Sequence, residues 1–439
     1  MAKFPELQNH LEDMLSPQRL SLLRKVAKQA RALDLPLYLV GGVVRDLYLD
    51  RPAVDFDLVV EGDAIRLARA LVDKHSGRLT VHSRFGTAQW FLPDSLGTDV
   101  TGFSTLDLIS ARSEIYRQPA ALPTVHPGSF LDDLHRRDFS INTLALRLDG
   151  DHFGELHDEL GGLEDLQHGR LRVIHPRSFI DDPTRLFRLV RYEQRYGFRI
   201  APQTLALIPE ALPGIKLLSA ERVRHELDLV LEENESSAML QHLAELGILA
   251  AVHPALEWNE SVRSRFLAAR PGDRGPDRLL SRRLLGWSLW LMGISRGGLV
   301  AVDKRLHFEA HTRAVLLAAS ALWADRGSLS GKKPSQYVAR LDKIPLAAVR
   351  SICLALPPGP VRRNLSDYLE IWRYLKSKTN GNDLKAIGLP TGPSYQTILH
   401  TLRNAWLDGK VKTVEQEKRL LDELVKRTNQ SAKPGLKRP

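Results

Sequence analysis

Residues 39–57, LVGGVVRDLYLDRPAVDFD, predict an apolar strand, a glycine turn, a basic helix and a second strand in that order. Asp55 and Asp57 are two residues apart on the second predicted strand. Because successive strand side chains point to opposite faces, these two carboxylates share one face. Hard divalent cations prefer such oxygen ligands. The stretch therefore predicts an α/β unit with a metal site held by Asp55 and Asp57 on one face of the second strand.

The glycine pair that follows the first strand is the second feature of this stretch. Gly41 and Gly42 end the apolar run with no Cβ, which lets backbone amides approach a phosphate at a helix N-terminus. Arg45 adds a fixed positive charge one turn into the helix. Gly42 and Arg45 are therefore candidate nucleotide-binding residues.

Together, the glycine pair, the Arg45-Asp46 dipeptide and the Asp-x-Asp motif resemble the head domain of polymerase-β-like nucleotidyltransferases. The resemblance is specifically to class II tRNA CCA-adding enzymes and bacterial poly(A) polymerases. It is near-continuous over residues 36–231 and thinner beyond. It implies an α+β fold, in which an α/β head is followed by an all-helical neck, body and tail.

Composition sets broad limits on the function. A net charge of +10 and a pI near 9.6 favour a polyanionic partner. Cys353 is the only cysteine, which excludes an intrachain disulfide and a cysteine-rich zinc site and favours a reducing, cytoplasmic environment. No uninterrupted apolar run approaches 20 residues, so no membrane association is expected. The sequence leaves the oligomeric state undetermined.

Apolar periodicity divides the chain into segments. It predicts a helix over residues 17–33 and strands at Leu37–Val40 and near 78–81, 87–92 and 106–110. From about residue 149 the period becomes helical, with no clear strand alternation. We predict a catalytic head at 1–148, a nucleotide-selecting neck at 149–250, a body at 251–355 and a tRNA-binding tail at 356–439. The tail's last 39 residues carry ten Lys or Arg against five Asp or Glu.

Two segments of the head are ambiguous in pattern. Residues 112–133 contain three prolines and a glycine and predict a long, mobile loop with a functional role. Residues 136–146, RRDFSINTLAL, have apolar positions that fit the core face of a helix.

Asp107 is the third candidate catalytic carboxylate. It lies in the apolar run LDLIS, and the family resemblance implies a carboxylate here, followed five residues later by an arginine, in this chain Arg112. Asp55 and Asp57 would then bind both Mg²⁺ ions, and Asp107 would help to orient the primer hydroxyl. A buried or edge aspartate with an ordinary hydrogen-bonding partner is the alternative for Asp107.

The RRDFSINTLAL segment resembles the family's ribose-recognition motif. Arginines such as Arg137 bind phosphates through paired donors. Asp138 and Asn142, four residues apart, would contact a sugar hydroxyl and select ribonucleotides.

The segment 181–198, DDPTRLFRLVRYEQRYGF, resembles the family's nucleobase-recognition motif. The resemblance implies that Asp182 and Arg185 recognise the base and that Arg188 and Arg191 face the triphosphate. Asp181 stands where glutamate is usual in the family, which leaves its role in orienting Arg185 open. Asp182 before Pro183 is also a good helix N-cap, and that alternative remains.

The sequence thus predicts a template-independent RNA nucleotidyltransferase that uses CTP and ATP to build or repair the 3'-terminal CCA of tRNA. An A-adding enzyme or a poly(A) polymerase would share nearly every motif. A noncatalytic RNA-binding protein that kept the fold is the alternative from another functional class.

Overall fold

The computed structural model describes residues 11, 15–51, 56–96, 104–269 and 280–431. Asp55 lies outside the described residues, and its metal-binding role stays a prediction. The chain divides into two compact units. The first contains residues 1–226 and 241–252, and the second contains 227–240 and 253–439. The four-part division into head, neck, body and tail remains a prediction.

The strands lie in the first unit. They are β1 Leu37–Val40, β2 Asp57–Val60, β3 Arg78–His82, β4 Thr87–Phe91, β5 Thr105–Ser110, β6 Arg112–Ile115, β7 Thr124–Pro127, β8 Ala145–Arg147, β9 Glu155–His157, β10 Arg170–Leu171 and β11 Arg199–Ile200. The predicted strands of the head are confirmed to within one residue at most ends. The short strands β9 to β11 interrupt the part that was predicted to be wholly helical, because strands of two or three residues leave no alternation to detect.

Helices make up most of the remainder. The first unit and its link to the second contain α1 Pro17–Ala32, α2 Gly42–Tyr48, α3 Ala64–His75, α4 Phe130–His135, α5 Gly162–Gln167, α6 Ser178–Asp181, α7 Arg185–Tyr196, α8 Pro202–Leu205, α9 Ile208–Ala211, α10 Ala220–Glu232, α11 Ser236–Glu245 and α12 Ile248–Val252. The second unit continues with α13 Glu260–Ala268, α14 Arg282–Leu291, α15 Arg296–Leu306, α16 Ala310–Ala324, α17 Pro334–Leu341, α18 Leu346–Ala355, α19 Pro360–Glu370, α20 Gly381–Ala386, α21 Pro393–Leu407 and α22 Val414–Ser431. The α+β class with a sheet-containing head and a helical remainder is confirmed.

Seven strands form the main sheet of the head, in the order β3-β4-β5-β2-β1-β8-β9. Helix α3 packs on β4 and β5 and covers one face. On the other face Tyr38, Val59 and Ala145 are buried together with Phe130 of α4. The sheet is thus covered on both sides near its centre, and alternate residues of β1 and β2 are buried on opposite faces.

The register of β2 and β5 brings two predicted site residues together. These strands run parallel, and Asp57 pairs with Asp107. Register partners on adjacent strands point to the same face, with the strands about 4.8 Å apart. Asp107 therefore lies on the strand next to Asp57 and on the same side of the sheet, as the sequence pattern predicted.

The long loop predicted over residues 112–133 is wrong. Strands β6 and β7 pair in antiparallel register, and α4 begins at Phe130 with a capping box between Ser129 and Asp132. Only residues 116–123 connect the two strands without regular structure. Strands of four residues, one of them ending in Pro127, are too short to give a clear alternation in sequence.

The helix predicted after Asp138 is also wrong. Ser140–Asn142 form a single 3₁₀ turn, and the chain then enters strand β8, which pairs with β1. The Thr143 hydroxyl donates to the Ser140 carbonyl at 2.7 Å. Short polar side chains that bond to nearby backbone favour a turn over a helix, and β8 supplies the edge of β1 with hydrogen-bond partners.

The second unit has an aromatic core. The rings of Trp287 and Trp290 stack with centroids 5.4 Å apart, and Trp287 meets Phe308 edge to face. Both tryptophans are 1% exposed, as expected for core residues. Among the described residues, no helix combines the length and the apolar character that a bilayer crossing requires.

Candidate active site

A polar cavity of about 540 Å³ opens in the first unit. Its lining includes six arginines and five acidic residues: Arg45, Arg112, Arg136, Arg137, Arg185, Arg188, Asp57, Glu114, Asp138, Asp182 and Glu226. Gly41, Gly42, Asn142, Tyr116, Thr184 and Tyr192 also line it. The volume suits a nucleotide-sized ligand, and the excess of arginine suits an anionic one.

The turn after β1 forms one wall of this cavity. Gly41 has φ +74°, and a Cβ built on it would lie 2.7 Å from Nη1 of Arg137. The positive φ favours glycine, and a Cβ here would displace the end of the Arg137 side chain, which Asp133 holds in place. Gly42 follows as the first residue of α2 and also lines the cavity.

Arg45 on α2 is buried and held from several sides. Its Nε and Nη2 donate to the two oxygens of Asp46 at 2.9 and 3.0 Å. Its Nη1 donates to the Asn142 side-chain oxygen at 2.5 Å, and its guanidinium lies 4.5 Å from the Tyr196 ring centre. The Arg-Asp dipeptide of the motif thus fixes the arginine, which in turn orients Asn142.

Asp138 is the centre of a buried hydrogen-bond network. Its Oδ1 accepts from the Asn142 side-chain amide at 2.7 Å and from the Phe139 backbone at 2.9 Å. Its Oδ2 accepts from Arg188 Nε at 2.7 Å. A chain of contacts therefore runs from Arg45 through Asn142 and Asp138 to Arg188, which joins the head motifs to helix α7.

The protonation state of Asp138 follows from this network. Burial acts to raise the pKa of the carboxyl, but the charge of Arg188 and the bonds from Asn142 and Arg188 outweigh it and lower the pKa to about 2. The same carboxylate raises the pKa of Arg188. Both groups are therefore charged at neutral pH.

Arg136 and Arg137 are anchored by one buried carboxylate. Asp133, on α4, accepts from Arg136 Nη2 at 2.6 Å and from Arg137 Nη2 at 2.8 Å. Nε of Arg137 is buried and has no hydrogen-bond partner among the described residues. Nε of Arg112, another lining residue, is likewise buried and without a hydrogen-bond partner among the described residues. Unpaired guanidinium donors beside a cavity are suited to an anionic ligand.

The two carboxylate oxygens of Asp182 differ in their hydrogen bonds. Oδ1 accepts from the Thr184 backbone at 3.1 Å, the Thr184 hydroxyl at 2.7 Å and Arg222 Nη2 at 2.6 Å. Among the described residues no hydrogen bond reaches Oδ2. The two alternatives for this residue are thus compatible, since one oxygen stabilises the start of α7 and the other remains available to a ligand.

Arg185 is 5% exposed and has a fixed position in the cavity wall. Its Nη1 donates to the Ser178 hydroxyl and its Nη2 to the Arg136 carbonyl, both at 2.6 Å. Asp181, the expected orienting residue, instead pairs with Arg177 at 3.4 Å. Ser178 and the Arg136 backbone therefore orient Arg185.

Among the predicted site residues that the structure describes, Arg191 and Asp107 do not line the cavity. Arg191 is 5% exposed and donates to Glu226 at 3.0 Å. Burial raises the pKa of Glu226, while the charge of Arg191 opposes this effect. Asp107 accepts from Gln89 at 3.0 Å and lies beside Asp57, and Ile109, two residues farther along the same strand, does line the cavity.

Several lining residues were not predicted from the sequence. Glu114 accepts from Arg112, Arg136 and the Tyr116 hydroxyl, which links the β6 strand to the arginine pair. Burial raises the pKa of Tyr116, so its hydroxyl stays protonated and donates. Glu114 and Tyr116 fall in the segment predicted to be a loop, where no periodic signal exists. Tyr192, four residues after Arg188, was detectable by helical spacing.

The chain matches the models of two protein families and the sequences and structures of several known proteins. Residues 37–172 match "Poly A polymerase head domain", and residues 197–259 match "Probable RNA and SrmB- binding site of polymerase A". The CC-adding tRNA nucleotidyltransferase of Deinococcus radiodurans is 31% identical over 409 residues, which cover 93% of this chain and 94% of that protein. The chain belongs to the tRNA nucleotidyltransferase and poly(A) polymerase family.

Other members of this family are similar over different extents. The A-adding tRNA nucleotidyltransferase of Geobacter sulfurreducens is 33% identical over 419 residues, which cover 91% of this chain and 46% of that protein. The chain spans between 28% and 56% of the lengths of the first three A-adding relatives. The Thermotoga maritima CCA-adding enzyme complexed with tRNA matches 98% of this chain and 100% of that chain, with a TM-score of 0.78 and 27% identity.

Proposed function

We propose that this protein is a template-independent nucleotidyltransferase that adds nucleotides from CTP and ATP to the 3' end of tRNA. The main support is the cavity, whose lining includes the carboxylate Asp57, the Arg137 to Asn142 segment and the Asp182 to Arg188 segment. These three parts offer groups for metal and primer, for phosphates and ribose, and for a nucleobase.

In the proposed reaction the primer 3'-oxygen forms a bond to the α-phosphorus while the bond to the departing pyrophosphate breaks. Arg137 and Arg188 would bind the triphosphate through paired donors. Asp138 and Asn142 would contact a ribose hydroxyl. Asp182 Oδ2 would accept from the exocyclic amino group that cytosine and adenine share, and Arg185 would donate to ring acceptors.

The paired carboxylates of β2 and β5 fit a divalent cation. Asp57 and Asp107 are register partners on the same face, and both are exposed. Within the described residues no group of three or more His, Cys, Asp or Glu is placed to hold a metal ion, and the proposed third carboxylate, Asp55, lies outside them. Bound Mg²⁺ would activate the primer hydroxyl and stabilise the leaving group in a two-metal arrangement. Mn²⁺ should bind more weakly to the Asp57→Asn and Asp107→Asn proteins than to wild type. A titration measures this binding without any turnover of substrate.

A-only addition is the second candidate function. The Geobacter relative, which matches 91% of this chain, is an A-adding enzyme, whereas the Deinococcus relative is a CC-adding enzyme. The two activities differ in which tRNA end and which nucleotide are accepted. A poly(A) polymerase would instead extend a short oligoribonucleotide by many adenylates.

Single-nucleotide incorporation assays separate these functions. Purified protein is incubated with tRNA that ends before CCA, after C or after CC, with each labelled nucleoside triphosphate separately. Full CCA synthesis predicts C addition to the first two substrates and A addition to the third. A addition to the CC-ended tRNA alone identifies an A-adding enzyme. Binding of tRNA with no incorporation on any substrate would refute the enzymatic proposal in favour of a noncatalytic RNA-binding protein.

The metal assignment has its own test. Asp55→Ala combined with Asp57→Ala should abolish incorporation, because both proposed shared ligands are removed. An exposed carboxylate outside the cavity, Asp73, provides the control substitution Asp73→Ala. Incorporation that persisted in the double variant would refute this metal site.

A further inference from the structure

Arg222, on helix α10, connects two parts of the site that the sequence motifs do not link. Its Nη2 donates to Asp182 Oδ1 at 2.6 Å, and its Nη1 donates to the Ala120 carbonyl at 2.9 Å. One guanidinium therefore bonds both to the proposed base-recognising carboxylate and to the connection between β6 and β7. Arg222 is 40 residues from Asp182 and 102 residues from Ala120 in the chain.

Ala120, in the connection between β6 and β7, has an unfavourable backbone conformation. Ala120 has φ +62°, which costs a residue with a Cβ about 1–2 kcal/mol. Its N–H donates to the Ile180 carbonyl at 3.3 Å, and its carbonyl accepts from Arg222. Ala120 is also buried. Contacts on both sides of the residue thus compensate for its conformation, and Arg222 provides the only charged one among the described residues.

The bond from Arg222 to Asp182 falls on the oxygen that is already hydrogen-bonded, Oδ1. Three donors converge on Oδ1, and two of them, the Thr184 amide and hydroxyl, are local. Arg222 supplies the third from another helix and is the only charged donor of the set. A charge-assisted bond is stronger than the neutral ones, so Arg222 has the largest single effect on the rotation of the carboxylate.

We propose that Arg222 is a positioning residue for nucleotide selection, which fixes Asp182 against the connection between β6 and β7 so that Oδ2 faces the nucleobase. This rests on the proposed function. Arg222 does not line the cavity and acts only through Asp182. When Arg222 is lost, the carboxylate rotates more freely, and discrimination between CTP or ATP and UTP or GTP decreases.

The test compares nucleotide discrimination in Arg222→Gln, Arg222→Lys and wild type. Equilibrium binding of each of the four nucleoside triphosphates is measured together with kcat/KM for incorporation. We expect Arg222→Gln to lower the preference for CTP and ATP over UTP and GTP by about tenfold or more, the order of one charge-assisted bond. Arg222→Lys, which keeps the charge but reaches one acceptor, should give a smaller loss. The exposed Arg199→Gln is the control.

A double-mutant cycle separates positioning from general damage. In an Asp182→Asn background, Arg222→Gln should change discrimination little further, because its target carboxylate is already gone. A merely structural defect would lower the kcat for all four nucleotides by one factor and leave their ratio intact, and that result would overturn the proposal. Equal effects of Arg222→Gln on discrimination in the wild-type and Asp182→Asn backgrounds would also overturn the proposal. Wild type that binds nucleotides selectively but incorporates none would refute the proposed function while the binding ratios still test Arg222.

Discussion

The Asp138 network predicts a specific, pH-dependent loss of stability in the variant Asp138→Asn. The substitution keeps the size of the side chain but removes the charge opposite Arg188. The network lowers the pKa of Asp138 from 3.8 to about 2. At about 1.36 kcal/mol per pKa unit, the charged form stabilises the fold by about 2–3 kcal/mol at pH 7.

The sign of the pH dependence follows from the depressed pKa. The stabilisation is complete well above 3.8, the ordinary value of the carboxyl, and is lost as the pH falls toward about 2. At pH 3 roughly half of it should remain. Wild type and Asp138→Asn should therefore differ clearly at neutral pH and less in acid.

Hydrogen exchange measures this difference at the network itself, and the second unit provides an internal control. The opening free energy of amides in residues 139–147 should be about 2–3 kcal/mol lower in the variant at pH 7. Amides of α18, in the second unit, are the control and should not change. A difference below about 0.5 kcal/mol at pH 7, or an equal difference at pH 7 and pH 3, would refute this account of the network.

Two further predictions concern the first unit. Gly41→Ala should destabilise the fold by about 1 kcal/mol or more beyond Gly150→Ala, because both glycines have positive φ but only Gly41 meets Arg137; equal melting temperatures for the two variants would contradict this. The bond to Glu193 raises the pKa of His242 above 6.5, so its stabilisation is complete below that pH and is lost as the pH rises through the raised value. Thermal midpoints at pH 6 and pH 9 should therefore differ less in His242→Gln than in wild type, and identical pH slopes would disprove the assignment.

Local pattern was enough to locate most of the head. The continuous apolar run of β1, the alternation in β4 and the helical spacing of α1 were predicted correctly, because the apolar residues of these segments coincide with their buried positions. The loop predicted over 112–133 and the helix predicted over 139–146 failed for the opposite reason. β6, β7 and β8 have three or four residues each, and pairing with another strand, not local preference, stabilises them.

The sequence by itself determined which chemical groups are present and in what order: a glycine turn, acidic strand ends and arginines repeated along one helix face. Only the tertiary structure decided which of them meet. Asp138 and Arg188 are 50 residues apart in sequence but form an ion pair. Arg191, on the same helix as Arg188, donates to Glu226 and does not line the cavity. Helical spacing fixes the direction of a side chain relative to its own helix axis, whereas its partner depends on how distant segments are placed in three dimensions.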